Sequence, residues 1–308
     1  MWTAVSLALA YGAIFLVYGA WAASRIASGG SVWLYLAALP FVYLVVPLLF
    51  VIAWFAFAHH FAAERPEDAH LDTRGKVTLF WQEFLTIAGN SPRMIFYRVL
   101  IHEPAPSHAQ RPVLLVHGVL CNAGVWHPMK RWLSAHGIAP IYTLSYGPPL
   151  ASIDHFAQQA ARKIDSILAE TGARDVIVIA HSMGGLVMRA YLREHGGRKI
   201  ARLVTIATPH EGSMHAWLGT GVSVAQMRPG SAWLSALGEP RSDDAPPLVS
   251  LWSWHDSMVT PQTSARVAFG ENVELSGVGH TALLRERRVF ERVLQEIQTA
   301  RATSESPA

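Results

Sequence analysis

Ser182 closes the stretch VIVIAHS, five apolar residues and a histidine, and is followed at once by Met183, Gly184 and Gly185. Residue types in that order point to nucleophilic catalysis. A serine hydroxyl must stand clear of the backbone to attack, and a strained turn from a buried strand into a helix lifts it out, provided its neighbours are small enough for the chain to pass closely. The hydroxyl also needs a base to take its proton, and the base needs a carboxylate to orient it. Two later stretches hold candidates: His280 in SGVGH, where Gly277 and Gly279 let a loop bend back, and Asp256 at the end of LVSLWSWHD.

Other reactive types have plainer roles. Of the 15 histidines, His181 and His255 adjoin motif residues and read as packing or hydrogen-bonding groups, while His117 and His210 read as loop formers. Asp154 and Asp165 fall in a helical pattern, away from the loop of the terminal histidine. Cys121 is the single cysteine, which excludes an intrachain disulfide framework and a multi-cysteine metal site. It has no strand-to-helix turn of its own and reads as filling near a pocket. With no H-E-x-x-H, carboxylate-rich calcium loop or G-x-x-x-x-G-K-[ST], no metal or organic cofactor is expected. A net charge of +3, with no block of basic residues, gives nucleic-acid binding no support.

The elements that must position these residues follow from the apolar pattern. VLLV at 113–116, a short strand near 140–144, VIVIA at 176–180, LVTIA at 203–207, LVSLWSW at 248–254 and a last strand at 273–275 alternate with helical patterns at 125–135, 152–171, 183–195 and 281–300. Near-continuous apolar strands separated by helices predict an α/β fold, a mostly parallel sheet with helices on both faces. Ligands then collect at the carboxyl ends of the strands. Residues 210–247 break the alternation and are expected to form a partly helical, lid-like insertion over that edge.

The first 63 residues are of another kind, since Arg25 is the only Lys, Arg, Asp or Glu among them. Residues 2–23 and 32–58 are uncharged runs long enough to cross a hydrocarbon core of about 30 Å as helices. Trp2, Trp21, Trp33 and Trp54 sit near their ends, as an interfacial aromatic belt predicts. No basic residue precedes the first run, which argues against a signal peptide. A transmembrane helical hairpin is the expectation, with a single anchor plus a re-entrant piece as the alternative; a buried core hairpin would rarely stay uncharged through two runs this long. Both ends of a hairpin face one side, and Arg65, Arg74 and Lys76 against Arg25 favour a cytoplasmic body, the expected location being a bacterial inner membrane. The expected organisation is a membrane anchor at 1–60, a connector at 61–110, a catalytic domain at 111–300 and a disordered tail at 301–308. In the connector, KVTLFWQEFLTIA at 76–88 has helical spacing and suits either the membrane surface or the body, and HEPAPSHAQRP reads as a loop.

AHSMGG, together with LLVHGV, IATPHEGS, HDSMVTP and GVGHTAL in that order, resembles the α/β-hydrolase superfamily, in particular its small lipases and esterases. The resemblance covers roughly residues 111–294. Ala180 departs from it, standing where the G-x-S-x-G pattern has glycine. The resemblance implies that Ser182 is the nucleophile, His280 the base and Asp256 its orienting acid. It also implies an oxyanion hole formed by the backbone N–H groups of Val119 and Met183. The expected function is a membrane-anchored serine hydrolase acting on an ester or lipid-like substrate, with membrane lipids as its surroundings. Thioesterase, amidase or acyltransferase chemistry on the same residues remains an alternative, and so does a non-catalytic membrane scaffold.

Overall fold

The computed structural model describes residues 2–105, 111–239 and 244–303. Two long helices come first, α1 (Trp2–Ala27) and α2 (Val32–His60), joined by a tight turn. They are followed by α3 (Thr73–Ile95) and the single turn α4 (Tyr97–Leu100). The body then alternates: β1 (Val113–Val116), α5 (His127–Ala135), β2 (Ile141–Leu144), α6 (Ile153–Thr171), β3 (Val176–His181), α7 (Met183–His195) and β4 (Ile200–Ile206). The short helices α8 (Val222–Gln226) and α9 (Ala232–Leu237) lie in the insertion, before β5 (Leu248–Ser253), β6 (Glu271–Leu275) and α10 (Arg287–Ala302).

All six strands are parallel, in the order β2-β1-β3-β4-β5-β6. Strand residues alternate between two cores, which explains why the strands read as unbroken apolar runs. Leu114, Val116, Val178 and Ala180 face α6, α7 and part of the insertion. Val113, Leu115, Ile177 and Ile179 face α5 and α10. The chain runs from β1 outward to β2, then crosses back to β3 on the other flank of β1. That reversal opens a crevice at the carboxyl ends of β1 and β3, where a parallel sheet holds its ligands.

Local signals placed most boundaries. Ser152 caps α6 by accepting from Asp154 N–H, and Gly172 ends it in the left-handed conformation, φ 71°. The last helix differs from the expectation of 281–300. Residues Ala282–Arg285 form a 3-10 turn, and α10 begins at Arg287, where the Glu286 side chain accepts from Arg288 N–H. The Pro106–Gln110 part of the expected connector loop and residues 304–308 of the expected tail lie outside the described residues, while α10 itself runs on to Ala302.

The helices α1 and α2 are long and apolar enough to cross a membrane, and only 6% and 11% of their most apolar windows are buried. A core helix, by contrast, is covered on all sides. Between this hairpin and the body lies α3. It meets the hairpin through Tyr11 with Ser91, Tyr43 with the Ala88 carbonyl, and Phe55 with Phe80. Its other face turns Glu83 into the body, and a third stripe, Val77, Trp81 and Leu85, stays exposed.

Candidate active site

The turn at Ser182 is the strained one the sequence suggested. Its φ of 55° and ψ of −130° place a non-glycine residue where L-amino acids seldom sit. The strain is held by Ser182 N–H donating to the Ile206 carbonyl at 2.8 Å and by Thr208 Oγ1 donating to the Ser182 carbonyl at 2.9 Å. Close approach explains two glycines. A methyl at Gly118 would lie 2.8 Å from Ser182 Cβ, and one at Gly184 would lie 2.5 Å from the His117 carbonyl oxygen. The loop after β1 and the turn after β3 therefore touch across the crevice.

Asp256 and His280 meet although 24 residues separate them. Nδ1 of His280 lies 2.9 and 3.0 Å from the two carboxylate oxygens, with both side chains buried. Oδ1 of Asp256 also accepts from the backbone N–H of Met258 and Val259, each at 2.7 Å, which fixes the carboxylate. The imidazole loop is tied on several sides. Ser253 Oγ donates to the Val278 carbonyl, Gly277 N–H to Nδ1 of His255, and the His280 carbonyl meets Nε2 of His181 at 3.3 Å. His181 also brings the two segments together, since it precedes Ser182 and its ring lies 4.7 Å from that of His280. Among the described residues the Ser182 hydroxyl makes no hydrogen bond, to His280 or to any other group, while His280 keeps its bonds to Asp256.

The backbone N–H of Met183 is the first of α7, so it has no helical acceptor, and the helix dipole adds positive potential there. Val119 follows Gly118 on the facing loop. Leu120, next along, takes φ 53°, a second strained non-glycine position that the sequence did not flag.

The imidazoles of the site shift in opposite directions. Burial alone would lower the proton affinity of His280, but the Asp256 charge, its hydrogen bond and the Glu83 charge outweigh this and leave it above the ordinary value. Burial takes the neighbouring rings the other way: His181 is held well below its ordinary value and His117 is lowered to about 4. Both are neutral near pH 7, so neither competes with His280 for the proton.

The plainer readings of other residues hold up in the contacts they make. His210 Nε2 pairs with Thr205 Oγ1, and its carbonyl accepts from Arg189. Asp154 binds Arg193 and Trp233, and Asp165 binds Lys199, all away from the imidazole. Burial pushes the Cys121 thiol up to about 12, which removes it as a thiolate nucleophile.

Three features had no signal strong enough to be singled out in the sequence. Glu83, on α3, accepts from Thr281 and Ala282 beside His280 and from Ser257 beside Asp256. The hint was its phase, four residues after Leu79 and seven before Asn90, on the buried face of a helix. His215, in the insertion, bonds Thr260 through Nδ1 and is flanked by Trp54 and Phe57 of α2, with ring centroids at 5.7 and 4.5 Å. The hairpin also meets the other side of the crevice. Thr3 Oγ1 donates to the Cys121 carbonyl at 3.0 Å, and Trp2 packs against Gly147. Both body-facing ends of the hairpin thus reach loops at the carboxyl edge of the sheet.

The insertion spans the same edge. Met214 N–H donates to the Thr260 carbonyl after Asp256, and Val222 N–H to the Leu150 carbonyl after β2. Trp217, Leu218 and Val222 point outward, each more than half exposed, and Leu120 is exposed on the facing loop.

Comparison with known proteins agrees with this architecture. The family described as PGAP1-like alpha/beta domain matches residues 141–242. A triacylglycerol lipase of Pseudarthrobacter phenanthrenivorans is 32% identical over an alignment of 120 residues that covers 34% of this chain and 35% of that protein. The match thus spans about a third of the curated relative's length. Among solved structures, Aspergillus fumigatus lipase B superposes with a TM-score of 0.57 at 21% identity, covering 66% of this chain and 57% of that one. The mature Bacillus licheniformis lipase BlEst2 gives 0.54 at 17% identity, covering 63% and 96%. The chain has the α/β-hydrolase fold, of the kind found in lipases and esterases.

Proposed function

We propose that this protein is a membrane-anchored serine hydrolase that cleaves carboxylic esters of lipid-like substrates through an acyl-enzyme. The buried Asp256–His280 pair, beside a serine held in a strained strand-to-helix turn, carries this reading. In the reaction Ser182 Oγ attacks the ester carbonyl while Nε2 of His280 takes its proton, and Asp256 holds the ring through Nδ1. Charge moves to the carbonyl oxygen, which the N–H groups of Val119 and Met183 receive. Donors of this sort are worth about 2.7–4 kcal/mol each in the barrier. His280 then protonates the departing alkoxide, and water repeats the sequence on the acyl-enzyme.

The lipid part of the proposal rests on where the hairpin ends. With α1 and α2 spanning a bilayer, their contacts to Cys121, Gly147 and His215 hold the crevice at the bilayer surface. The exposed Trp217, Leu218, Val222 and Leu120 then lie where an acyl chain leaves the membrane. The three basic residues after α2 favour a cytoplasmic body, and reporter fusions after Ala58 and at the C-terminus test that side.

The deciding experiment uses the full chain in detergent. Wild type is expected to hydrolyse a short p-nitrophenyl ester and to be labelled irreversibly by a fluorophosphonate, and Ser182→Ala to do neither. Full activity in Ser182→Ala would end the assignment.

A further inference from the structure

A buried carboxylate lies against both loops that carry the proposed chemistry, yet takes no part in it. Glu83 sits on α3, outside the sheet and its covering helices, and is 1% exposed. Its Oε1 accepts from Thr281 N–H and Thr281 Oγ1, both at 2.9 Å, and from Ser257 Oγ at 3.3 Å; its Oε2 accepts from Ala282 N–H at 3.0 Å. Thr281 and Ala282 directly follow His280, and Ser257 directly follows Asp256. Gly279, on the other side of the histidine, packs so closely that a methyl there would come within 2.4 Å of Oε2.

Every one of these partners is a donor, so the carboxyl group is asked for no proton and the anion fits the cradle. An isolated buried carboxylate would take up a proton instead. Burial prevails and leaves Glu83 above the ordinary carboxylate value, while the Thr281 hydrogen bonds, the His280 charge and the Ala282 hydrogen bond oppose it and favour the anion.

We infer that Glu83 is a positioning residue of this site: from a helix outside the hydrolase fold it clamps the loops of His280 and Asp256 in register and sets a second negative charge behind the imidazole. This rests on the serine-hydrolase reading. The groups facing His280 are Asp256 after β5, Glu83 on α3, His181 at the end of β3 and His215 in the insertion. Burial keeps the two other histidines neutral, so the two carboxylates set the charge that the imidazole feels. Because α3 also packs on α1 and α2, the clamp stands on the same helix that seats the hairpin.

The test compares the wild-type full chain with Glu83→Gln, Glu83→Asp and Ser182→Ala in detergent, on a short soluble ester across pH, with thermal melting as the folding control. In Glu83→Gln, kcat is expected to fall by roughly tenfold or more, as loss of a charge-assisted hydrogen bond implies, with KM changed less than about twofold. The acid limb of its pH–rate profile moves to lower pH, because an imidazole with one anion fewer gives up its proton more readily. Glu83→Asp keeps the charge and leaves that limb at the wild-type pH. If Glu83→Gln does not melt cooperatively, Thr281→Val and Ser257→Ala remove donors while the carboxylate stays, and a fall in kcat at unchanged KM supports the same clamp. Wild-type kcat with an unmoved acid limb in Glu83→Gln, or wild-type kcat in both donor variants, overturns it. Activity surviving in Ser182→Ala sinks the hydrolase reading itself, whereas an inactive Ser182→Ala beside an unaltered Glu83→Gln sinks only the role of Glu83.

Discussion

Gly118 and Ser182 are in contact across the crevice: a methyl on Gly118 would come 2.8 Å from Ser182 Cβ and 3.2 Å from its hydroxyl oxygen. The backbone that is to present the Val119 N–H is therefore pressed directly against the proposed nucleophile. Gly118→Ala must push one of the two strained segments away. The expected cost is about 1–3 kcal/mol of stability, as for other overpacked sites, with loss of fluorophosphonate labelling while the protein still melts cooperatively. Labelling at the wild-type rate would mean the two segments are not coupled.

Asp256→Asn keeps the shape of the side chain and removes its charge. If Asp256 orients the base, kcat for ester hydrolysis is expected to fall by about 10⁴-fold, the loss found when a triad carboxylate becomes an amide. The wild-type profile is expected to show an acid limb above the ordinary imidazole value, since His280 must be neutral to accept a proton and its proton affinity is raised. Activity is lost as pH falls through that raised value. A limb below the ordinary value would contradict the Asp256–His280 pairing.

Acid should weaken the fold by a separate route. His117, His215 and His255 are lowered to about 4, chiefly by burial, and His181 and His210 lie well below the ordinary value for the same reason. Each takes up a proton more readily unfolded than folded, so stability is full above the unfolded value and is lost as pH drops from there toward about 4. His280 has the opposite sign: its contribution is present below the unfolded value and is lost as pH rises through the raised one. His127, lowered chiefly by burial, and Asp154, held low against burial by its Trp233, Arg193 and Ser152 hydrogen bonds and the Arg193 charge, act with the five, whereas Glu83, raised by burial, acts with His280; the groups that lose stability in acid are the more numerous. The melting temperature is expected to fall on acidification from neutral toward pH 4, and a flat profile over that range would refute the buried-neutral assignment.

The exposed side chains of the insertion give a substrate-length prediction. Trp217→Ser with Leu218→Ser removes two outward apolar groups, each more than half exposed. At about 0.8 kcal/mol per methylene no longer sheltered, kcat/KM on long-chain esters is expected to drop roughly three- to tenfold, while hydrolysis of a soluble acetate ester stays near wild type. Equal loss on both substrates would show that the insertion supports the fold of the site rather than the acyl chain.

The sequence by itself determined what depends on neighbours in the chain. Strands buried on both faces read as apolar runs, Ser152 and Gly172 marked the ends of α6, and AHSMGG announced a strained turn because its requirements are local: a buried strand before it, small residues and a helix after it. The two apolar runs of the hairpin were legible for the same reason, since length and missing charge are properties of a segment. Only the tertiary structure decided which distant groups meet. The Asp256–His280 contact could be named in advance through motif order, but Glu83 lies 198 residues from Thr281, and no periodicity in KVTLFWQEFLTIA says which donors its carboxylate will find. The same holds for Trp54 against His215 and Thr3 against Cys121, where packing of whole elements brings together side chains whose own segments carry no trace of the partner. Local conformation is written in short-range sterics and burial, whereas a site assembled from loops and helices far apart in the chain exists only once the elements dock.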